Sequence, residues 1–223
     1  MIGVKICGVC RVEDAATLAA AGATHIGIIV GAPGPRLRSG QDAAAIYEAA
    51  PDLVRVGVFA NVAVGDVVGL AQRLSLGVVQ LHGHETPADV AAIAGEGKWQ
   101  VWKAIRPTDA ASVDKALTVW AEVADALLID GAAPGALGGT GVSAPWQTLA
   151  SARWQGRPAL VLAGGLRPGN VAEAVALLTP DIVDVSSGVE AAIGRKDATL
   201  VHEFVRQART ASSTAGIPVR DIQ

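Results

Sequence analysis

Apolar and polar positions along this chain fall into one repeating pattern. Short runs rich in Val, Ile and Leu recur at 4–7, 25–30, 53–59, 78–82, 100–106, 126–130, 159–164 and 182–187. Between and after them lie Ala-rich stretches with helical spacing, at 13–21, 41–49, 64–74, 87–94, 109–123, 144–152, 168–178 and 197–211. Runs this short and this apolar read as buried strands, and the longer stretches as amphipathic helices. Proline follows a candidate cap residue at Thr86-Pro87 and Arg167-Pro168, which marks two helix starts.

Strand–helix alternation implies parallel strands joined by crossover helices. Eight such units close a (β/α)8 TIM barrel, so the expected fold is α/β, eight parallel strands in a single domain. An open doubly wound sheet is the structural alternative. It is disfavoured because neither G-x-G-x-x-G after a strand nor G-x-x-x-x-G-K-[ST] occurs. The barrel is expected to occupy 1–210. The segment 211–223, with Gly216 and Pro218, reads as a tail that does not continue the helix.

Composition narrows the function. The chain has 223 residues, 51% of them hydrophobic and 17% charged, with net charge -3 and no block of like charges. That supports a large core and carries no electrostatic footprint for nucleic acid or an anionic membrane. No apolar run nears the ~20 residues of a membrane span. The opening MIGVKICG lacks the regions of a signal peptide, so a cytoplasmic location is expected. Cys7 and Cys10 would close only a tiny loop, a poor structural staple.

In barrels of this kind the active site sits at the C-terminal strand ends. There this chain places Cys7, Asp130, Gln80-Leu81-His82-Gly83, Gly164-Gly165 and Ser186-Ser187-Gly188, with Pro35-Arg36 in the loop after the second strand. Glycines let backbone N–H groups approach an anion, so the last two loops suit a phosphate; they could also be plain tight turns. Cys7 and Asp130 make a base and an acid, the thiol needing only a modest shift to act near neutrality. Each has a plainer reading, Cys7 as a packed thiol and Asp130 as a cap. Arg36 is suited to a carboxylate or phosphate. His82 could touch substrate or be a satisfied structural histidine. His25, His84 and His202 show no ligand spacing, and no metal site is expected. Trp99, Trp102, Trp120 and Trp154 are expected to pack helices, with Trp146 nearer the mouth. Alternation puts Lys5 with Cys7 and Asp184 with Ser186, on adjoining first and eighth strands. Lys5 and Asp184 should therefore pair inside the barrel, below the catalytic layer.

With these residues assembled, the chain resembles the phosphoribosylanthranilate isomerase family, which performs the third step of tryptophan biosynthesis. The resemblance runs through Lys5-Ile6-Cys7-Gly8, Pro35-Arg36, Val56-Gly57-Val58-Phe59, Gln80-Leu81-His82-Gly83 and Lys103-Ala104-Ile105. It continues with Asp130 and Gly138-Gly139-Thr140-Gly141, then Leu162-Ala163-Gly164-Gly165-Leu166, Pro168 and Asn170. It closes on Val183-Asp184-Val185-Ser186-Ser187-Gly188-Val189-Glu190 and Lys196-Asp197.

The resemblance implies an Amadori rearrangement of N-(5-phosphoribosyl)anthranilate. Asp130 would be the acid and Cys7 the base. Arg36 would face the anthranilate carboxylate, with His82 and Gly141 also binding substrate. Gly164, Gly165, Ser186, Ser187 and Gly188 would hold the phosphate. No cofactor would be needed, since the substrate's imine takes up the electrons, and the chain would act as a monomer or homodimer. The chain departs from the family at 31–36, Gly-Ala-Pro-Gly-Pro-Arg, where a serine usually precedes the Pro-Arg pair and a bulky residue lies upstream. A looser anthranilate end is expected there. Cys10 stands where Thr is usual, and His84 where an acidic residue is usual. Cys7-Gly8-Val9-Cys10 also admits a rival, a C-x-x-C thiol–disulfide oxidoreductase. Other rivals are a histidine-pathway or dual-specificity sugar isomerase, and a non-catalytic phosphosugar-binding barrel.

Overall fold

A computed structural model describes residues 2–130, 146–150 and 158–214. Eight strands close a barrel in chain order, each parallel to its neighbours. They are β1 (Gly3–Ile6), β2 (His25–Gly31), β3 (Val54–Phe59), β4 (Val78–Leu81), β5 (Gln100–Ile105), β6 (Ala126–Ile129), β7 (Ala159–Leu162) and β8 (Ile182–Val185). The helices between and after them are α1 (Val12–Ala21), α2 (Gly40–Glu48), α3 (Val64–Arg73), α4 (Pro87–Gly95), α5 (Ala110–Trp120), α6 (Trp146–Leu149), α7 (Pro168–Leu178) and α8 (Ala198–Thr214). The expected α/β architecture is therefore the observed one. Helix α8 runs through Thr214, past the position at which the tail was expected to begin. Among the described residues no helix is long and apolar enough to cross a membrane.

The strands are apolar on both faces because both are covered. Outward positions such as Val4, Ile6, Ile26, Ile28, Val79, Leu81, Leu160 and Val183 join the helices in one continuous core. Inward positions form a second cluster of Val56, Val78, Trp102, Ala104, Ala126, Leu128, Val161, Ala163 and Ile182. Trp102 is thus a correction to the expectation of helix packing: it is wholly buried inside the barrel, tilted against the His25 ring at 5.4 Å between centroids. Gln100, Trp102 and Ala104 share the inward face by simple alternation, and Lys103 faces the helices. Trp99 and Trp120 do pack against the outer core, and Trp146 is buried in it; Trp154 lies outside the described residues.

Charged groups also sit inside the barrel. Lys5 and Asp184 are direct partners in the β1–β8 register, and Lys5 Nζ donates to Asp184 Oδ2 at 2.9 Å, as the alternation required. Beside them Gly27 leaves room: a methyl group on it would lie 3.0 Å from both Cys7 Sγ and Lys5 Nζ. Burial, with the Lys5 charge adding to it, holds the His25 imidazole down at about 4.

One element had no precursor in the hydrophobic pattern. After β8 a single 3-10 turn (Ser187–Val189) leads into a small antiparallel hairpin, β9 (Glu190–Ala192) and β10 (Arg195–Lys196). The Lys196 backbone N–H donates to Asp14 Oδ2 of α1 at 3.1 Å, which docks the hairpin beside the start of α1.

Candidate active site

The strands stop one residue short of the chemistry. Cys7, His82 and Asp130 each follow the last residue of a strand, yet their N–H groups continue the ladders. They donate to Val185, Phe59 and Ile105 carbonyls at 2.8, 2.8 and 3.0 Å. The side chains are therefore carried on rigid backbone, and they converge at the C-terminal mouth. One cavity of about 910 Å3, including space open to solvent, is lined by Cys7, Arg36, His82, Asp130, Gly164, Gly165, Ser186, Ser187 and Gly188. Every residue given a catalytic, substrate or phosphate role above is there except Gly141, which lies outside the described residues with the rest of Gly138-Gly139-Thr140-Gly141. Gln80, Asp184 and Pro33-Gly34-Pro35 also line it.

Cys7 is buried, at 8% exposure. Burial pushes its thiol up, the Lys5 ammonium opposes that, and the Asp184 carboxylate adds to it. The sequence reading asked for a modest downward shift; the thiol is instead held above its ordinary value, because burial outweighs the Lys5 ammonium and Asp184 offsets part of that cation's help. Asp184 Oδ1 is buried without a hydrogen-bond partner among the described residues, in the cavity wall.

Asp130 is equally enclosed, and His82 Nε2 lies 3.0 Å from its Oδ2. Gln80 Nε2 lies 3.1 Å from His82 Nδ1. Gln80 and His82 are two apart and face inward together, so Gln80, His82 and Asp130 form one polar chain from β4 across to β6. With the Gln80 amide N–H donating to Nδ1, a neutral His82 ring carries its proton on Nε2 and donates it to Asp130. Turning the amide over would give Nδ1–H a partner in Gln80 Oε1, which is buried and has no other partner among the described residues. The chain can thus hold a proton at either end. Sequence reasoning gave His82 no partner, because nothing in the local pattern shows that β4 and β6 reach each other.

The loops after β7 and β8 touch. A Cβ on Gly188 would lie 2.0 Å from the Leu166 carbonyl, so only glycine lets the two approach. Gly164 and Gly165 have φ of 82° and 69°, the left-handed region natural to glycine. Among the described residues their N–H groups have no acceptor. Asn170 Nδ2 donates to the Gly165 carbonyl at 3.0 Å and fixes that turn. Open backbone donors on a fixed glycine turn suit an anion.

Arg36 is not a loose loop arginine. Its guanidinium is bonded at two points to Glu190, Nε to Oε1 at 2.8 Å and Nη2 to Oε2 at 2.6 Å. Glu190 also accepts from buried Lys196 at 3.0 Å. Cys10 donates to the Gly8 and Arg36 carbonyls and does not line the cavity. His84 leaves the family's acidic position empty, but the next residue, Glu85, supplies a carboxylate. It accepts from Asn61 N–H at 2.9 Å and Lys103 Nζ at 2.9 Å, bracing the loops after β3 and β4.

The comparisons with known proteins agree with this geometry. The family model described as N-(5'phosphoribosyl)anthranilate (PRA) isomerase matches residues 4–207. A relative from Acidithiobacillus ferrooxidans, named N-(5'-phosphoribosyl)anthranilate isomerase, is 41% identical over 94% of this chain and 98% of its own. One of the same name from Paramagnetospirillum magneticum is 43% identical over 93% and 97%. Among solved structures, phosphoribosyl anthranilate isomerase from Thermotoga maritima superposes with a TM-score of 0.84 at 34% identity, covering 94% of this chain and all of that one. Another solved phosphoribosyl anthranilate isomerase holds reduced 1-(o-carboxyphenylamino)-1-deoxyribulose 5-phosphate. It has a TM-score of 0.81 at 34% identity over 94% of this chain and all of its own. With the family model spanning the barrel and relatives above 40% identity along nearly its whole length, the chain belongs to the phosphoribosylanthranilate isomerase family.

Proposed function

We propose that this chain catalyses the Amadori rearrangement of N-(5'-phosphoribosyl)anthranilate to 1-(2-carboxyphenylamino)-1-deoxyribulose 5-phosphate, the third step from chorismate in tryptophan biosynthesis. The observation that carries the reading is the convergence of Cys7, after β1, and Asp130, after β6, on one cavity with an open glycine turn at its rim. Asp130 gives a proton to the ribose ring oxygen, and the ring opens to a Schiff base. Cys7 removes the proton from C2; the C2–H electron pair forms the C1=C2 bond and the C1=N π pair moves onto the protonated imine nitrogen, giving an enolamine. Tautomerisation then yields the ketone. The imine is the electron sink, so no cofactor takes part.

Arg36 takes the anthranilate carboxylate, His82 adjoins the reacting sugar, and Gly164, Gly165, Ser186, Ser187 and Gly188 hold the phosphate. Gly141 belongs to the same substrate-binding set. The enzyme works in the cytoplasm as a monomer or homodimer, without nucleic acid or membrane; the Thermotoga maritima relative is described as dimeric. The dithiol reading loses its support, because Cys10 points at backbone carbonyls outside the cavity. A histidine-pathway reading would want a carboxylate where Cys7 stands.

The test follows fluorescence decay of phosphoribosylanthranilate with the wild type, Cys7→Ala, Asp130→Ala and Cys10→Ser. The first two variants should lose about 10²–10⁴-fold in turnover, the usual worth of a general base or acid. Cys10→Ser should turn over near the wild-type rate. Unimpaired decay with Cys7→Ala or Asp130→Ala overturns the assignment of that residue.

A further inference from the structure

Arg36 and Glu190 stand 154 positions apart in the chain and meet in a two-point ion pair. A guanidinium has two forked edges, one made by Nε with Nη2 and the other by Nη1 with Nη2. Glu190 occupies the first. Nη1 makes no hydrogen bond among the described residues, and Arg36 lines the cavity. The open edge is therefore the Nη1/Nη2 end.

Behind the pair sits Lys196, its side chain 1% exposed. Its ammonium has three hydrogens and three acceptors: the Cys7 carbonyl at 2.7 Å, Glu190 Oε1 at 3.0 Å and the Ser186 carbonyl at 3.1 Å. All three are spent on the protein, so Lys196 has none left for the substrate phosphate. It ties Glu190 to the backbone of the catalytic thiol and of the loop after β8. Two cations share one carboxylate, which leaves one unit of positive charge for Arg36 to present. Gly8 packs into the same junction: a methyl group on it would meet Arg36 Cδ at 2.6 Å and Ser186 Oγ at 2.9 Å.

We propose that Glu190 and Lys196 are positioning residues for recognition of the substrate's aromatic carboxylate. They hold the Arg36 fork in its receiving orientation before the ligand arrives, at a fixed distance from Cys7. This rests on the reading that Arg36 takes that carboxylate. Arginine has large rotamer freedom, and the loop that carries Arg36 is Pro33-Gly34-Pro35, with Gly34 at φ 147°. Anchoring the side chain beforehand removes an ordering cost from binding. The hairpin β9–β10 exists, on this view, to bring Glu190 and Lys196 to the mouth.

The experiment measures competitive inhibition by two ligands. One is reduced 1-(o-carboxyphenylamino)-1-deoxyribulose 5-phosphate; the other is its phenylamino counterpart, identical but for the missing carboxylate. Each is titrated against the wild type, Arg36→Met and Glu190→Gln. Glu190→Gln should weaken the carboxylated ligand by about 10-fold or more and the counterpart by less than about 3-fold, the pattern of coupling between two contacting groups. Its KM for substrate should rise with little change in kcat. Equal weakening of both ligands, or of neither, overturns the proposal. Arg36→Met separates the two levels: if it too fails to discriminate, the reading of Arg36 falls; if it discriminates and Glu190→Gln does not, only the positioning role falls. Should Glu190→Gln not fold, Glu190→Asp carries the same comparison. It keeps the charge but withdraws the carboxylate by one methylene, and the same selective loss is expected.

Discussion

The Lys5 ammonium and the Asp184 carboxylate meet at 2.9 Å inside the barrel, directly beneath Cys7, with 0% and 8% of their side chains exposed. Burial works against the lysine's charge, but Asp184 and then Cys7 outweigh it, and its pKa is raised. Breaking such a pair from one side leaves a buried charge alone, at about 3–5 kcal/mol. Asp184→Asn should lose that much in urea unfolding at neutral pH. Lys5→Met combined with Asp184→Leu should recover most of it, since a matched apolar pair is often neutral. The sign with pH follows from the raised value. The lysine's contribution is fully present below the unfolded value of about 10.4 and fades as pH climbs through the folded one. The gap between wild type and Asp184→Asn should therefore be full at neutrality and narrow in strong alkali. A gap below ~1 kcal/mol at neutral pH would show that the charges are solvated.

The same pair governs Cys7. A base must be deprotonated to act, and kcat/KM reports the free enzyme. Burial raises this thiol, and Asp184 cancels much of the help from Lys5. On a Cys10→Ser background, kcat/KM should rise roughly tenfold per pH unit through neutrality and level only above about 8.5, the ordinary thiol value. Alkylation of Cys7 by iodoacetamide should follow the same curve. A plateau already reached by pH 7 in both measurements would contradict a raised thiol.

Much of this was legible in the chain, for a physical reason. Parallel barrel strands are buried on both faces, so each shows as a short, nearly unbroken apolar run, and eight such runs are the number that closes a barrel. Strand alternation was enough to pair Lys5 with Asp184 across 179 positions. The same alternation applied at 100–105 would have turned Trp102 inward; reading tryptophan as a helix-packing residue hid it. Glu190 and Lys196 were visible only as parts of a family motif. They ride on strands of three and two residues, too short to carry any period. Their partners are set by closure of the barrel, which brings the loop after β2 against the hairpin after β8. The His82–Asp130 contact was hidden in the same way: two strand ends separated by β5 meet across the mouth only once the barrel has closed.

That contact supports the last expectation. His82 Nε2 lies 3.0 Å from Asp130 Oδ2, and the Gln80 amide, by the way it is turned, partners either tautomer of the ring. An acid that must deliver a proton to one ring oxygen depends on the direction of its carboxyl group as well as on its charge. Losing His82 removes the neighbour that shares its proton and one of the groups that direct it, Arg106 Nε lying 4.0 Å from the same oxygen. His82→Asn should therefore lower kcat by about 10–100-fold, the smaller part of what general acid catalysis is worth, with KM changed by less than ~3-fold. Gln80→Leu leaves the ring in place without its amide partner at Nδ1, so its loss in kcat should be smaller and of the same kind. If His82 served only to bind the sugar, KM would carry the loss and Gln80→Leu would be silent in kcat. Steady-state parameters for both variants decide between the two, because only the orienting role makes kcat fall along the chain from Asp130 to His82 to Gln80.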